Sequence, residues 1–149
     1  MADTIVGALA AAGCFLTAGF YFAFAVTVMP ALGEDAPTGV GVMRAINRRA
    51  VRAPFMTLFF GTAALCGAVL VMGGAPAGSL LAGGGAAAYL AGVAVTVLGN
   101  VRLNSALARA AAADDGAWAA FARPWARLNG LRAVLSLLGG ALLLAGLLV

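Results

Sequence analysis

Near the C-terminus, Trp118, Phe121, Trp125, Asn129 and Arg132 follow one another at steps of three and four residues. On an α-helix such steps bring side chains onto one face. The stripe therefore combines flat rings for stacking, an amide for carbonyl groups and a guanidinium fork for an anionic oxygen. Arg123 and Arg127 fall on the opposite side, toward solvent or lipid headgroups. Two readings stay open: an interfacial aromatic belt with a snorkelling arginine, and a polar site lined by flat side chains. Pro124 lies inside the stripe and threatens its register.

Two further groups belong to the same question. Asn100 and Asn104 stand one helical turn apart, continuing a run of small residues, Gly84, Ala88, Gly92 and Thr96. Small residues at this spacing let helix backbones approach closely, and the asparagines either bond neighbouring helices or meet a ligand. Arg44, Asn47 and Arg48 share one side of the first connector, which reads as a basic membrane-surface face or as part of a site. If the three groups converge at one depth, four asparagines and two or three arginines surround a small cavity, with Phe20, Tyr21 and Phe24 along its wall. Such a cavity suits a flat, phenolic or anionic molecule.

Other chemistries find little support. The chain has no histidine, which removes the commonest ligand of zinc, copper and non-haem iron and the usual catalytic base. No metal and no bound cofactor is expected. Glu34, Asp35, Asp114 and Asp115 sit in connectors, so no span carries the carboxylate typical of a proton-coupled transporter. Motifs for phosphate binding, serine nucleophiles and haem attachment are absent. Cys14 and Cys66 lie in apolar runs and read as small packing residues rather than a disulfide.

The elements that must position these residues are membrane spans. Of 149 residues, 64% are hydrophobic and 9% charged, against about 25% charged in a soluble domain. Because about 20 residues cross a bilayer, the apolar runs predict a single all-α domain over 1–149, a membrane four-helix bundle. Its helices are expected at about 5–30, 54–73, 80–105 and 128–149, with a turn at Gly73-Gly74-Ala75-Pro76-Ala77-Gly78-Ser79. The first run is too long, and lacks the preceding basic residues, for a cleavable signal.

The net charge of +4 comes from nine arginines against five acids. Scattered among apolar segments, those arginines make no wet face for nucleic acid. Arg44, Arg48, Arg49 and Arg52 lie in the first connector, and Arg102, Arg109, Arg123 and Arg127 in the third. The positive-inside rule makes both connectors cytoplasmic and leaves both termini outside, in a multi-pass protein of the cytoplasmic (inner) membrane. Helical spacing in 38–52 and 116–127 predicts helical extensions or short interfacial helices there, kinked or started at Pro54 and Pro124. Ile46-Asn47-Arg48-Arg49-Ala50-Val51 loosely echoes Leu128-Asn129-Gly130-Leu131-Arg132-Ala133-Val134, which raises an internal repeat.

Taken in order, Gly19-Phe20 through Met29-Pro30, Met43 with Ile46-Asn47, Asn100 with Leu103-Asn104, and then Trp118, Trp125, Asn129 and Arg132 resemble the anthrone oxygenase-like family of small four-helix membrane proteins. That family includes fungal anthrone oxidases and many bacterial members, and the resemblance covers nearly the whole chain. It implies an O₂-using oxidoreductase, a monooxygenase acting on an anthrone or another polycyclic phenol of the kind found in aromatic polyketide metabolism. Arg132, Asn129, Asn100 and Asn104 would then be the catalytic residues. Trp125, Trp118, Asn47, Arg44, Arg48, Phe20, Tyr21 and Phe24 would bind the substrate. Partners would be the phenolic substrate, O₂ and membrane lipid, with a homo-oligomer open. The alternative is a non-catalytic membrane carrier or an accessory subunit of a membrane complex, in which the same polar residues only hold helices together.

Overall fold

The computed structural model describes residues 1–72, 76–111 and 116–149. Every secondary-structure element among them is helical. Four helices are long and apolar enough to cross a membrane: Ala2–Gly33, Phe55–Met72, Leu80–Arg109 and Ala117–Gly146. We call these α1, α3, α4 and α5. Between the first two lies a shorter helix, α2 (Ala36–Ala50). Backbone helix in α4 has already begun at Pro76, so the expected turn is shorter than 73–79. Its residues 73–75, and Asp114 and Asp115 of the third connector, lie outside the described residues.

The bundle is closed and square. Helix α5 packs against α1 and α4, and α3 completes the ring by packing against the same two helices. Small residues set the close approaches. A Cβ on Gly85 would come within 2.7 Å of the Gly139 carbonyl oxygen and 2.8 Å of the Leu143 nitrogen, so α4 and α5 touch backbone to backbone there. The expected small-residue stripe therefore holds at Gly92 and Thr96 but not at its start, where Gly85 takes the contact and Gly84 is exposed. Large apolar side chains such as Leu16, Phe22, Phe60, Leu98, Val134 and Leu137 point outward, as they must where the surrounding solvent is hydrocarbon.

Helix lengths explain the architecture at one end. Helix α3 has 18 residues, about 27 Å at 1.5 Å per residue and close to the hydrocarbon thickness of a bilayer. Helices α1, α4 and α5 have 32, 30 and 30 residues and overhang α3 at the arginine-bearing end. There Phe55, at the start of α3, packs on Phe20 of α1 with ring centroids 4.5 Å apart. Helix α2 fills the space that the short α3 leaves. Gly39 lets it approach α1, since a Cβ there would run into the Leu32 carbonyl and face the Trp118 ring at 3.5 Å. Met43 of α2 is fully buried among Phe24, Met29, Leu107, Trp118, Phe121 and Trp125. Both devices expected for the connectors are therefore present in outline, as extended long helices and a separate short helix.

The two segments suspected of repeating each other are not equivalent. Residues 46–50 end the interfacial helix α2, whereas 128–134 lie in the middle of the membrane helix α5. The echo therefore falls on structurally different positions.

Two of the long helices contain a single wider turn. Phe24–Val28 in α1 and Thr96–Asn100 in α4 are π-helical. Such a bulge inserts one residue and rotates the following face. Phe24 and Met29, five positions apart, are consequently both buried in the same cluster.

Candidate functional site

Along each long helix the buried residues change character in the same order. One apolar cluster, at the arginine-bearing end, contains Trp118, Phe121 and Trp125 of α5. The other contains Cys14 of α1, Cys66 of α3, Tyr89 of α4 and Leu143 of α5, and both cysteines are free. Between them runs a layer of buried polar groups: Thr17, Thr62, Asn100, Asn129, Arg132 and Ser136.

The stripe on α5 faces inward over its whole length. Trp118, Phe121, Trp125, Asn129 and Arg132 are buried, and Arg123 and Arg127 are exposed. The helix runs through Pro124 without interruption. Asn129 is 0% exposed and Arg132 6%. The Asn129 amide donates through Nδ2 to the Tyr21 carbonyl of α1 at 2.8 Å. It accepts at Oδ1 from Nη2 of Arg132 at 3.0 Å. Nη1 of Arg132 reaches the Thr96 hydroxyl on α4 at 3.5 Å, and that hydroxyl donates to the Gly92 carbonyl at 2.9 Å. The guanidinium carbon lies 4.2 Å from the centre of the Tyr21 ring and 5.4 Å from that of Trp125. Arg132 thus touches α1, α4 and its own helix. The residues it meets stand beside the two π turns, three positions before one and at the first position of the other.

Among the described residues the charge of this centre meets no counter-ion. None of these contacts to Arg132 is a carboxylate, and Asp3, Glu34 and Asp35 are exposed. Burying a cation without a counter-ion is costly, and neutral donors and rings offset only part of that cost. Nε of Arg132 is buried without a hydrogen-bond partner. Asn100, one turn beyond Thr96 and 1% exposed, has neither Nδ2 nor Oδ1 partnered. Native interiors rarely leave such groups unsatisfied, and a site awaiting a ligand is one physical explanation. Together these atoms offer donors for an anionic oxygen and an amide for a carbonyl or hydroxyl.

The remaining sequence candidates divide between two places. Trp125 donates from Nε1 to Oδ1 of Asn104 at 2.9 Å, which ties Asn104 to the aromatic stripe. Phe24 stacks at a tilt on Trp125, centroids 5.7 Å apart, and Phe20 packs between Tyr21, Phe24 and Phe55 while remaining 37% exposed. Arg44, Asn47 and Arg48 do not join Arg132 in a common cavity. They line a separate groove with Asn104 and Ser105. Arg44 is engaged structurally, donating to the Leu107 carbonyl at 2.9 Å and the Ala110 carbonyl at 2.7 Å. It thereby closes the C-terminus of α4, where helix carbonyls lack partners. The peripheral groove that holds Arg44, Asn47 and Arg48 does not include Arg132, because α2 lies across the overhanging helix ends.

Sequence reasoning missed Thr96 as a polar partner, reading it only as a small residue, and missed Tyr89. The Tyr89 hydroxyl donates to the Phe59 carbonyl at 3.1 Å and lies 3.4 Å from the Thr17 hydroxyl. The spacing Thr96-Asn100-Asn104, one turn at each step, was the available signal for Thr96.

Residues 55–142 match the family model described as anthrone oxygenase. No curated protein and no solved structure matches the chain. The matched part spans α3, α4 and most of α5, and so contains Thr96, Asn100, Asn104, Trp125, Asn129 and Arg132. Tyr21 and the α2 residues lie outside it. With well over half of its length matched by that model and four helices able to span a membrane, the chain is a member of the anthrone oxygenase family.

Proposed function

We propose that the protein is a membrane oxygenase that converts an anthrone, or another polycyclic phenol, to its quinone with O₂ and without a cofactor. The observation that carries this reading is the buried, uncompensated Arg132 guanidinium, with its free Nε, one turn of α4 away from the unpartnered amide of Asn100. An aromatic anion satisfies both at once.

The chemistry places modest demands on the protein. Loss of a proton from the anthrone methylene gives an anion delocalised as a phenolate. That anion gives one electron to O₂, and the resulting radical and superoxide recombine to form a C–O bond. The hydroperoxide then loses water, leaving the new carbonyl; one O₂ is consumed and one water released. Arg132, oriented by Asn129, holds the anionic oxygen, Asn100 meets a neighbouring carbonyl or hydroxyl, and Trp125 offers a stacking face. A fixed charge in a water-poor layer stabilises the anion more than bulk water does, without reorganising during the reaction. The methylene proton passes to water, because a neutral tyrosine hydroxyl such as that of Tyr21 is too weakly basic to take it. The protein would sit in the cytoplasmic membrane with its arginine-bearing end inside and both termini outside, as the charge asymmetry of the sequence supports.

A second reading rests on the same network. Arg132 and Asn129 tie α1, α4 and α5 together, which is also what a carrier or accessory subunit would need. Incubating the purified protein with an anthrone while following O₂ uptake, quinone formation and metal content separates the two. Enzymatic uptake above the spontaneous rate, with quinone formed and no added metal or flavin, is the expected result. Uptake no faster than in buffer would favour the second reading, and activity abolished by a chelator would overturn the cofactor-free scheme.

A further inference from the structure

The groove between α2 and the last turns of α4, about 340 Å³ in volume, is lined on its polar side by Arg44, Asn47, Arg48, Asn104 and Ser105. Two of these side chains are guanidinium groups, which only donate, and the amides add further donors. Nε and Nη2 of Arg44 are spent on α4 carbonyls, which holds the guanidinium still and leaves Nη1 uncommitted. Nδ2 of Asn47 is buried without a partner. Indole nitrogen only donates, so the atom of Asn104 that meets Trp125 must be its oxygen, and its Nδ2 stays free. Among the described residues no carboxylate lines the groove. The matching ligand is an anion rich in acceptors and carrying no cationic group of its own.

The walls indicate where that anion comes from. Val51 and Val101 also line the groove, and they are 69% and 47% exposed. Val51 lies just before α3 begins at Phe55, at the edge of the membrane-crossing band. From Val101 the exposed side chains Leu98 and Val97 lead back along α4 into that band. A basic pocket that opens onto an apolar track suits a headgroup whose acyl chains remain in the bilayer. We propose that this groove binds the phosphate of an anionic membrane phospholipid, with an acyl chain along Val101 and Leu98, and that the bound lipid bridges α2 and α4. This site is independent of the Arg132 centre.

The test uses the full-length protein in a neutral detergent, with lipid retention read by native mass spectrometry and thermal midpoint by unfolding. Phosphatidylglycerol is expected to be retained and to raise the midpoint. Phosphatidylcholine, whose own cation would face Arg44 and Arg48, and inorganic phosphate, which has no chain, are expected to do neither at equal concentration. Asn47→Ala and Arg48→Ala should each weaken phosphatidylglycerol binding by about fivefold or more. Arg49→Ala, equal in charge and outside the groove, and Arg132→Ala should leave it unchanged. Since Arg48 is exposed, its variant keeps the fold, and unfolding in the absence of lipid checks both groove variants. Equal binding of phosphatidylcholine, equal protection by inorganic phosphate, or equal losses in Arg48→Ala and Arg49→Ala would each overturn the assignment.

Discussion

Arg132 and Asn129 form a single unit: the guanidinium donates to the amide oxygen at 3.0 Å, and the amide nitrogen passes the contact to the Tyr21 carbonyl at 2.8 Å. The amide is thereby fixed in orientation, and the guanidinium keeps one edge uncommitted. Replacing Arg132 with Ala should lower oxygenase activity about a hundred- to a thousandfold, the usual effect of losing a donor that stabilises transition-state charge. Arg123→Ala, the same change on the exposed face, should have little effect. Lys at position 132 should recover activity only in part, because an ammonium cannot reproduce the fork. Turnover must be normalised to folded protein, and equal losses in both alanine variants would count against a role for Arg132 in the chemistry.

Asn100 offers a sharper separation of function from structure. Both ends of its amide are buried without partners, so a leucine of similar shape removes a desolvation cost of about 1–3 kcal/mol. Asn100→Leu should therefore unfold at higher temperature than the parent while binding or converting substrate less well. A variant that is both less stable and equally active would mean that the amide serves only packing.

The α4–α5 crossing should tolerate nothing larger than glycine at its centre. Gly85→Val places a Cβ against the Gly139 carbonyl oxygen and the Leu143 nitrogen, which are backbone atoms and cannot rotate away. We expect a loss of about 1–3 kcal/mol, in line with overpacked interiors. Gly130→Ala, with open space around its Cβ, should be neutral or slightly stabilising, since helical glycine is disfavoured by about 0.5–1 kcal/mol. Thermal unfolding in detergent compares the two.

Arg44 caps α4 from a different helix, and its removal should act locally. Arg44→Ala leaves the Leu107 and Ala110 carbonyls without its donors. Hydrogen exchange should rise at the end of α4 and in α2, with little change in the membrane-spanning parts. Arg49→Ala should leave that pattern as it is.

Topology is open to direct labelling. In a variant lacking the buried Cys14 and Cys66, a cysteine at position 149 should react with a membrane-impermeant reagent on intact cells. A cysteine at position 123 should react only after permeabilisation. The reverse pattern would show that arginine asymmetry does not set the orientation of this protein.

The sequence by itself determined whatever depends on a single helix. Charge-free runs of sufficient length specify the spans, because hydrocarbon admits no unpaired backbone and few charges. The 3.6-residue period puts Trp118, Phe121, Trp125, Asn129 and Arg132 on one face and Arg123 and Arg127 on the other, and the burial pattern agrees with it residue by residue. What lies between helices was decided only by tertiary structure. That Gly85, and not Gly84, meets Gly139, that the Tyr21 carbonyl receives Asn129, and that Arg44 closes a helix more than sixty positions away all depend on how one helix is rotated and shifted against the next. Those offsets arise from the whole bundle packing at once. Two π turns, at Phe24–Val28 and Thr96–Asn100, rotate the faces beyond them, so a constant period read along α1 or α4 drifts off the core at just the depth where the polar layer lies.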